Sequence, residues 1–321
     1  MKFSDSVKNR RYFFFGGKGG VGKTIAASAA AVYLSEALGK KTLLSSTNPV
    51  HSLSSCFEQT FVGKGEVKVD GCSNLYALEI ETGETVLKYR KETKQKILDF
   101  LKYADIPIDP APFVDAAMSN PAFEESAMFD EMADLILKGE YECIVFDTAP
   151  VAHTYRLLGM SKIYDMWLGK MLKSRQEAMS LKKTLSFRKE PLDKVVEDPT
   201  IKSLLDSRRR TDEVRKILTD PGLTAFYFVT LPLALPISVV ERFIFWVRAF
   251  KIPVGGVIVN QVMPAIETKS PFIVNKLKEQ AQYMSLIDKK FKDLVVAEIP
   301  QYDKEIKGIE SLKEVSKAFA G

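Results

Sequence analysis

The densest chemistry in the sequence is Gly17-Lys18-Gly19-Gly20-Val21-Gly22-Lys23-Thr24, which satisfies the pattern GxxxxGK[ST]. Glycines let the backbone curl until successive N–H groups converge on phosphate oxygens, and a helix opening at Lys23 adds partial positive charge there. Lys23 then meets the β- and γ-phosphates and the Thr24 hydroxyl ligates Mg²⁺, with Ile25 next in the wall of the site. Asp147 belongs to the same chemistry. It closes the apolar run Cys143-Ile144-Val145-Phe146, where a carboxylate is placed to hold a Mg²⁺-bound water.

A phosphate loop of this kind needs a buried strand before it and a helix after it. Seven short β-rich runs, at 12–15, 42–45, 75–80, 143–147, 225–230, 256–260 and 294–299, are mostly continuous in apolar residues. Such runs are buried on both faces, as in a parallel sheet, and the helical stretches between them supply the crossovers. The expected fold is α/β, a doubly wound and mostly parallel sheet of the P-loop NTPase type. Residues 81–140 and 157–221 are too long to be single crossover helices. In the second, Met160, Ile163, Tyr164, Trp167, Leu168, Met171 and Leu172 recur at helical spacing. The economical reading is one ATPase-type domain over 1–321 with a helical subdomain made from these two insertions.

Composition bounds the rest. The chain has 321 residues, 46% of them hydrophobic and 27% charged, enough to bury a large core. Its net charge of +5 is carried by residues 157–220, which hold 15 Lys plus Arg against 10 Asp plus Glu. Acids are interspersed along that segment, so it reads as a solvated helical face and no nucleic-acid partner is expected. Cys56, Cys72 and Cys143 form neither a CxxC nor a Cys/His cluster, which argues for a reducing compartment. The start lacks the apolar core of a signal peptide, and the longest uncharged stretch, 223–240, is broken by Pro232 and Pro236. A cytoplasmic protein, peripheral at a membrane at most, is expected.

Further motifs carry a family resemblance. Lys18, a second lysine early in the loop, resembles the signature of the deviant P-loop ATPases of the Min, Par, nitrogenase-iron-protein and arsenite-pump type. The segment from Ser46 through Asn48, His51 and Leu53 is similar to switch I of the arsenite-pump ATPases and of the Get-pathway ATPases that target tail-anchored membrane proteins. The segment from Phe146 to Leu158 is similar to their switch II, Val259-Asn260-Gln261 to their adenine-recognition turn, and Pro300 with Glu305-Ile306-Lys307-Gly308 to their C-terminal nucleotide loop. The resemblance spans nearly the whole chain. It implies ATP and Mg²⁺ as cofactors and a homodimer that sandwiches nucleotide, with Lys18 reaching the partner's phosphates in trans and Asn260 and Gln261 at the base. A cation supplied in this way couples phosphate state to subunit closure. His51 and His153 are read as orienting the switch backbones, outside the chemistry.

The departures from that family are as informative. Asn48 stands at the position of the water-activating aspartate; an amide keeps the size and hydrogen bonding but cannot accept a proton. ATP binding with slow hydrolysis is expected. Ile25 replaces a second loop hydroxyl, Ser55 an aspartate, Val151-Ala152 a Thr-Gly pair and Leu233 a glutamate. The zinc-binding CxxC of the Get type is replaced by Ser270 and Ile273, so no zinc is expected.

Seven of the ten methionines fall in the two helical insertions, among them Met118, Met128, Met132, Met160 and Met171. With Trp167 they suit a groove for varied apolar helices, and the same region is the cargo subdomain in Get-type relatives. The leading expectation is a nucleotide-gated carrier of transmembrane helices of client proteins, with a membrane receptor among the partners the resemblance admits. The alternatives are an ATPase subunit energising an arsenite or anion efflux transporter, and a regulatory switch of the Min/Par type.

Overall fold

The computed structural model describes residues 2–47, 52–103, 122–147 and 199–320, and the single positions 169, 173, 177 and 180. Of the expected site residues, Asn48, Met118, Met160, Trp167 and Met171 lie outside the described residues, as do His51, His153 and switch II beyond Asp147.

The chain divides into two compact units. The first comprises Met1–Glu81, Lys138–Tyr155 and Leu218–Gly321. It is built on eight strands: β1 (Tyr12–Gly17), β2 (Thr42–Ser46), β3 (Val67–Lys68), β4 (Leu75–Glu79), β5 (Cys143–Asp147), β6 (Thr224–Thr230), β7 (Val254–Val262) and β8 (Val295–Pro300). Their order is β3-β4-β2-β5-β1-β6-β7-β8, and every pairing is parallel except β3 with β4. The α/β doubly wound fold is therefore present, with β3 as an antiparallel edge that the sequence reading did not contain. Two residues are too few to display a period.

Burial on both faces explains the continuous apolar runs. All six residues of β1 are buried: Phe14 stacks on Phe146 of β5 (4.7 Å) on one face, and Phe15 on Tyr227 of β6 (5.4 Å) on the other. Each such ring buried contributes about 1.5–3 kcal/mol. The helix after the loop, α2 (Lys23–Val32; α1 is the short Phe3–Ser6), packs through Ala26, Ala27, Ala29, Ala30 and Ala31, all at 0% exposure. Side chains this small let the helix lie close on the sheet. A further short helix, α3 (Ser52–Phe57), follows β2.

The second unit, Thr82–Leu137 with Arg156–Ile217, is described through α4 (Thr82–Tyr103), α5 (Ala122–Lys138) and α6 (Pro199–Thr219). It enters the chain directly after β4 and again after β5. Within it, Arg210 of α6 ties to α5 by donating to the carboxylates of Asp130 and Asp134 (2.8 Å to the latter) and to the Asp130 carbonyl (2.9 Å). Returning to the first unit, α7 (Ala234–Ala249) and α8 (Pro271–Phe291) form the crossovers from β6 to β7 and from β7 to β8, and α9 (Gly308–Ser316) follows β8.

Candidate functional site

The site grows from the carboxyl end of β1. Parallel pairing sets Phe15 beside Asp147 of β5, and Gly16 and Gly17 beside Phe228 and Val229 of β6. The chain then leaves the sheet as a loop that passes through two left-handed positions, Gly20 (φ 80°) and Gly22 (φ 86°). At Gly22 a side chain is excluded twice over: its φ suits glycine, and a Cβ would lie 2.2 Å from Asn260 Nδ2.

That close approach identifies what Asn260 does here. Its Nδ2 donates to the Val21 carbonyl (2.9 Å) and its Oδ1 accepts the Gln261 N–H (2.9 Å), with the residue only 3% exposed. Through these bonds the amide expected at an adenine edge braces the phosphate loop from the end of β7. A short side chain at a strand end beside a glycine turn reaches the loop backbone first. Gln261 itself is exposed and adopts φ 56°, a left-handed conformation uncommon for a side chain of its size. It lines a cavity of about 300 Å³ with Leu231, Leu233, Met263, Phe272 and Gln301. Gln280, also in the lining, accepts the Met263 N–H (2.8 Å) and donates to the Met263 carbonyl (2.9 Å).

Lys23 is buried and donates from Nζ to the Lys18 carbonyl (3.3 Å), curling the loop on itself. Burial lowers the pKa of its ammonium, while the charge of Asp147 opposes that. Lys18 is half-buried, and Ile25 packs partly against the core.

Thr24 and Asp147 meet directly. Thr24 Oγ1 donates to Asp147 Oδ2 (2.7 Å) and lies 3.3 Å from Ser52 Oγ at the start of α3. Ser46 at the end of β2 donates to the same carboxylate oxygen (3.3 Å). Asp147 Oδ1 is buried with no hydrogen-bond partner among the described residues. Burial pushes this carboxyl up to about 6, against the downward pull of Thr24, Lys23 and Ser46. Leaving a buried carboxylate oxygen unsatisfied costs a folded protein on the order of 1–3 kcal/mol or more. An unfilled carboxylate oxygen beside a threonine hydroxyl is a hard-oxygen donor pair, the kind that suits Mg²⁺ accompanied by waters and phosphate. These residues fit the metal.

The structure thus brings together the loop 17–24, Asp147 and Asn260. Met128 and Met132 do not join them: they belong to α5 of the second unit and are 6% and 1% exposed. They are buried on the apolar face of that helix with Ala133, Leu135 and Ile136. Two contributors had no assigned role in the sequence. Ser46 is a polar residue ending an apolar strand, and Ser52 opens the helix at the end of the switch I-like segment.

A glycine loop between β1 and a helix, with a buried aspartate on the adjoining strand, defines a P-loop nucleoside-triphosphatase fold and site. The comparison with protein families goes further. The model described as anion-transporting ATPase matches residues 10–321, and the chain belongs to that ATPase family. It is similar to the ATPase get3 of Schizosaccharomyces pombe, 30% identical over 95% of this chain and 90% of that protein. It is also similar to a protein named arsenical pump-driving ATPase 2 of Aquifex aeolicus, 31% identical over 96% of this chain and 98% of that one. The ATPase GET3A of Arabidopsis thaliana is 32% identical over 96% and 83%. No helix among the described residues is long and apolar enough to cross a membrane.

Proposed function

We propose that this protein binds Mg²⁺·ATP at the loop 17–24 and uses the nucleotide state to open and close a homodimer that carries transmembrane helices of client proteins. The observation that carries the nucleotide part is Asp147: a buried carboxylate, one oxygen held by Thr24 and Ser46 and the other unpartnered. Bound Mg²⁺ would supply Lewis-acid charge at the phosphates. Thr24 and Asp147 would hold it, Lys23 would exchange its bond to the Lys18 carbonyl for phosphate oxygens, and Lys18 would serve the partner's phosphates. The cavity beside Gln261 and Gln301 would take the base end of the nucleotide. Asn48, at the water-activating position, makes turnover slow.

Support for the carrier part is covalent. The helical unit is inserted after β4 and after β5, and the second insertion begins just beyond Asp147. The helical unit resumes at Arg156, nine residues after Asp147, so a change of phosphate state at Asp147 would reach it along one short length of chain. The pump-driving reading has the Aquifex aeolicus relative in its favour. Against it, burial pushes the thiols of Cys56, Cys72 and Cys143 up to about 11, and a protonated thiol is a poor metalloid ligand.

The test is capture. The chain is co-expressed with a tail-anchored substrate, purified without detergent, and soluble complex is compared in ATP, in ADP and with charges placed in the substrate's apolar helix. Nucleotide-sensitive, helix-dependent complex is the expected result. Failure to capture under conditions where ATP dimerises the chain would overturn the carrier reading.

A further inference from the structure

Glu79 is a buried charge that the phosphate chemistry leaves unexplained. It ends β4, is 4% exposed, and pairs in register with Ser46 of β2, which in turn pairs with Asp147 of β5. Two buried carboxylates thus end strands on either side of Ser46. Whereas Asp147 keeps an unpartnered oxygen, Glu79 accepts several bonds. Its Oε1 takes the backbone N–H of Leu53 (2.7 Å) and of Ser54 (3.2 Å), and its Oε2 takes the Ser54 hydroxyl.

These bonds fix α3 to the sheet. A helix of six residues does not hold itself together, and its first amides need acceptors. A short polar side chain of its own could accept them at low cost. A carboxylate brought from another strand pays a desolvation penalty for the same bonds, but it ties the helix to one place on the sheet. Ser54 Oγ also accepts the Phe61 N–H (3.0 Å), and Phe61 is fully buried, so the attachment extends to the loop after α3. The residue carried at the amino end of this assembly is Ser52, whose Oγ lies 3.3 Å from Thr24 Oγ1. On the other side of positions 48–51, Thr47 is held by its N–H on the Asp147 carbonyl (3.1 Å).

We propose that Glu79 is a positioning residue for the metal site: by fixing the amino end of α3 it sets Ser52 against Thr24, and so holds the Thr24 hydroxyl in the orientation that serves Asp147 and Mg²⁺. The proposal rests on the nucleotide reading above. It makes Glu79 an outer residue of the Mg²⁺ site acting through Ser52 and Thr24, a kind of contact whose loss typically costs about 10–100-fold in metal affinity.

The experiment measures binding of a fluorescent ATP analogue to the full chain, with Mg²⁺ and with EDTA, for the unsubstituted protein, Glu79→Ala, Glu79→Gln and Ser54→Ala. Hydrogen exchange of residues 52–57 is followed in parallel without nucleotide. In Glu79→Ala the affinity in EDTA stays within about twofold, the tightening by Mg²⁺ falls by about tenfold, and exchange over 52–57 rises. Glu79→Gln keeps an oxygen for both amides and retains most of the Mg²⁺ effect. Ser54→Ala, which removes the hydroxyl's bonds to Glu79 and from the Phe61 N–H and leaves the carboxylate with both amides, loses part of it and carries the test if Glu79→Ala does not fold. An unchanged Mg²⁺ effect in Glu79→Ala or Ser54→Ala, or equal losses with and without Mg²⁺, would overturn the proposal and leave Glu79 a structural cap. Absence of Mg²⁺-dependent nucleotide binding in the unsubstituted protein would instead overturn the nucleotide reading, and this proposal with it.

Discussion

An acidic pair in the helical unit and one aspartate in the sheet unit are treated in opposite ways. In the helical unit Asp130 and Asp134 meet Arg210, a fork of donors that satisfies both carboxylates and a backbone carbonyl at a partly solvated helix contact. In the sheet unit Asp147 lies fully buried, held by two hydroxyls on one oxygen and, among the described residues, by nothing on the other. The first arrangement is complete and serves stability. The second is costly as a carboxylate, a cost that protonation relieves and that a metal-bound nucleotide would relieve as well. Buried polar groups left open by an otherwise close-packed fold therefore locate function more sharply than the number of charges does.

Three substitutions probe this contrast. The largest effect is expected at Gly22. Alanine there must displace the Asn260 amide from the loop and adopt an unfavourable φ, so ATP affinity falls by about tenfold or more, read by calorimetric titration. Retained affinity would mean that the loop finds its phosphate-binding shape without Asn260. Next is Asp147→Asn in metal-free protein. The folded-state carboxyl is raised from 3.8 to about 6, so protonation favours the fold. That contribution is complete below the unfolded pKa and is lost as pH rises through the folded one. The asparagine variant does not titrate, and its stability advantage over the parent should widen by about 2 kcal/mol between pH 4.5 and 7 in urea melts with EDTA. A constant or shrinking gap would show that Asp147 is not desolvated. The smallest effect belongs to Arg210→Ala. Its ion pairs are about one-third exposed, so about 1 kcal/mol of stability goes, with ATP affinity unchanged. A loss of ATP affinity there would show that the closed cluster also serves the nucleotide.

The same contrast explains what was legible in the sequence. The phosphate loop, Asp147 and the buried strands could be read because their chemistry demands particular residues in particular order. Boundaries moved where pairing outran pattern: β1 continues through Gly16 and Gly17 because Phe228 and Val229 offer partners, and β7 begins at Val254. The roles of Asn260 and Glu79 were not legible. Each depends on a bond across the fold, from β7 to Val21 and from β4 to α3, which no local spacing encodes. Methionine content likewise could not tell a binding groove from a packed helix face, and at Met128 and Met132 packing prevails.

Calorimetric titration with ATP decides whether the carboxylate of Asp147 serves a metal-bound nucleotide. Binding should occur with EDTA, tighten by about tenfold with Mg²⁺, and lose that tightening in Asp147→Asn while the metal-free affinity survives. Binding that ignores Mg²⁺, or an Asp147→Asn variant that responds to Mg²⁺ as the parent does, would contradict the account.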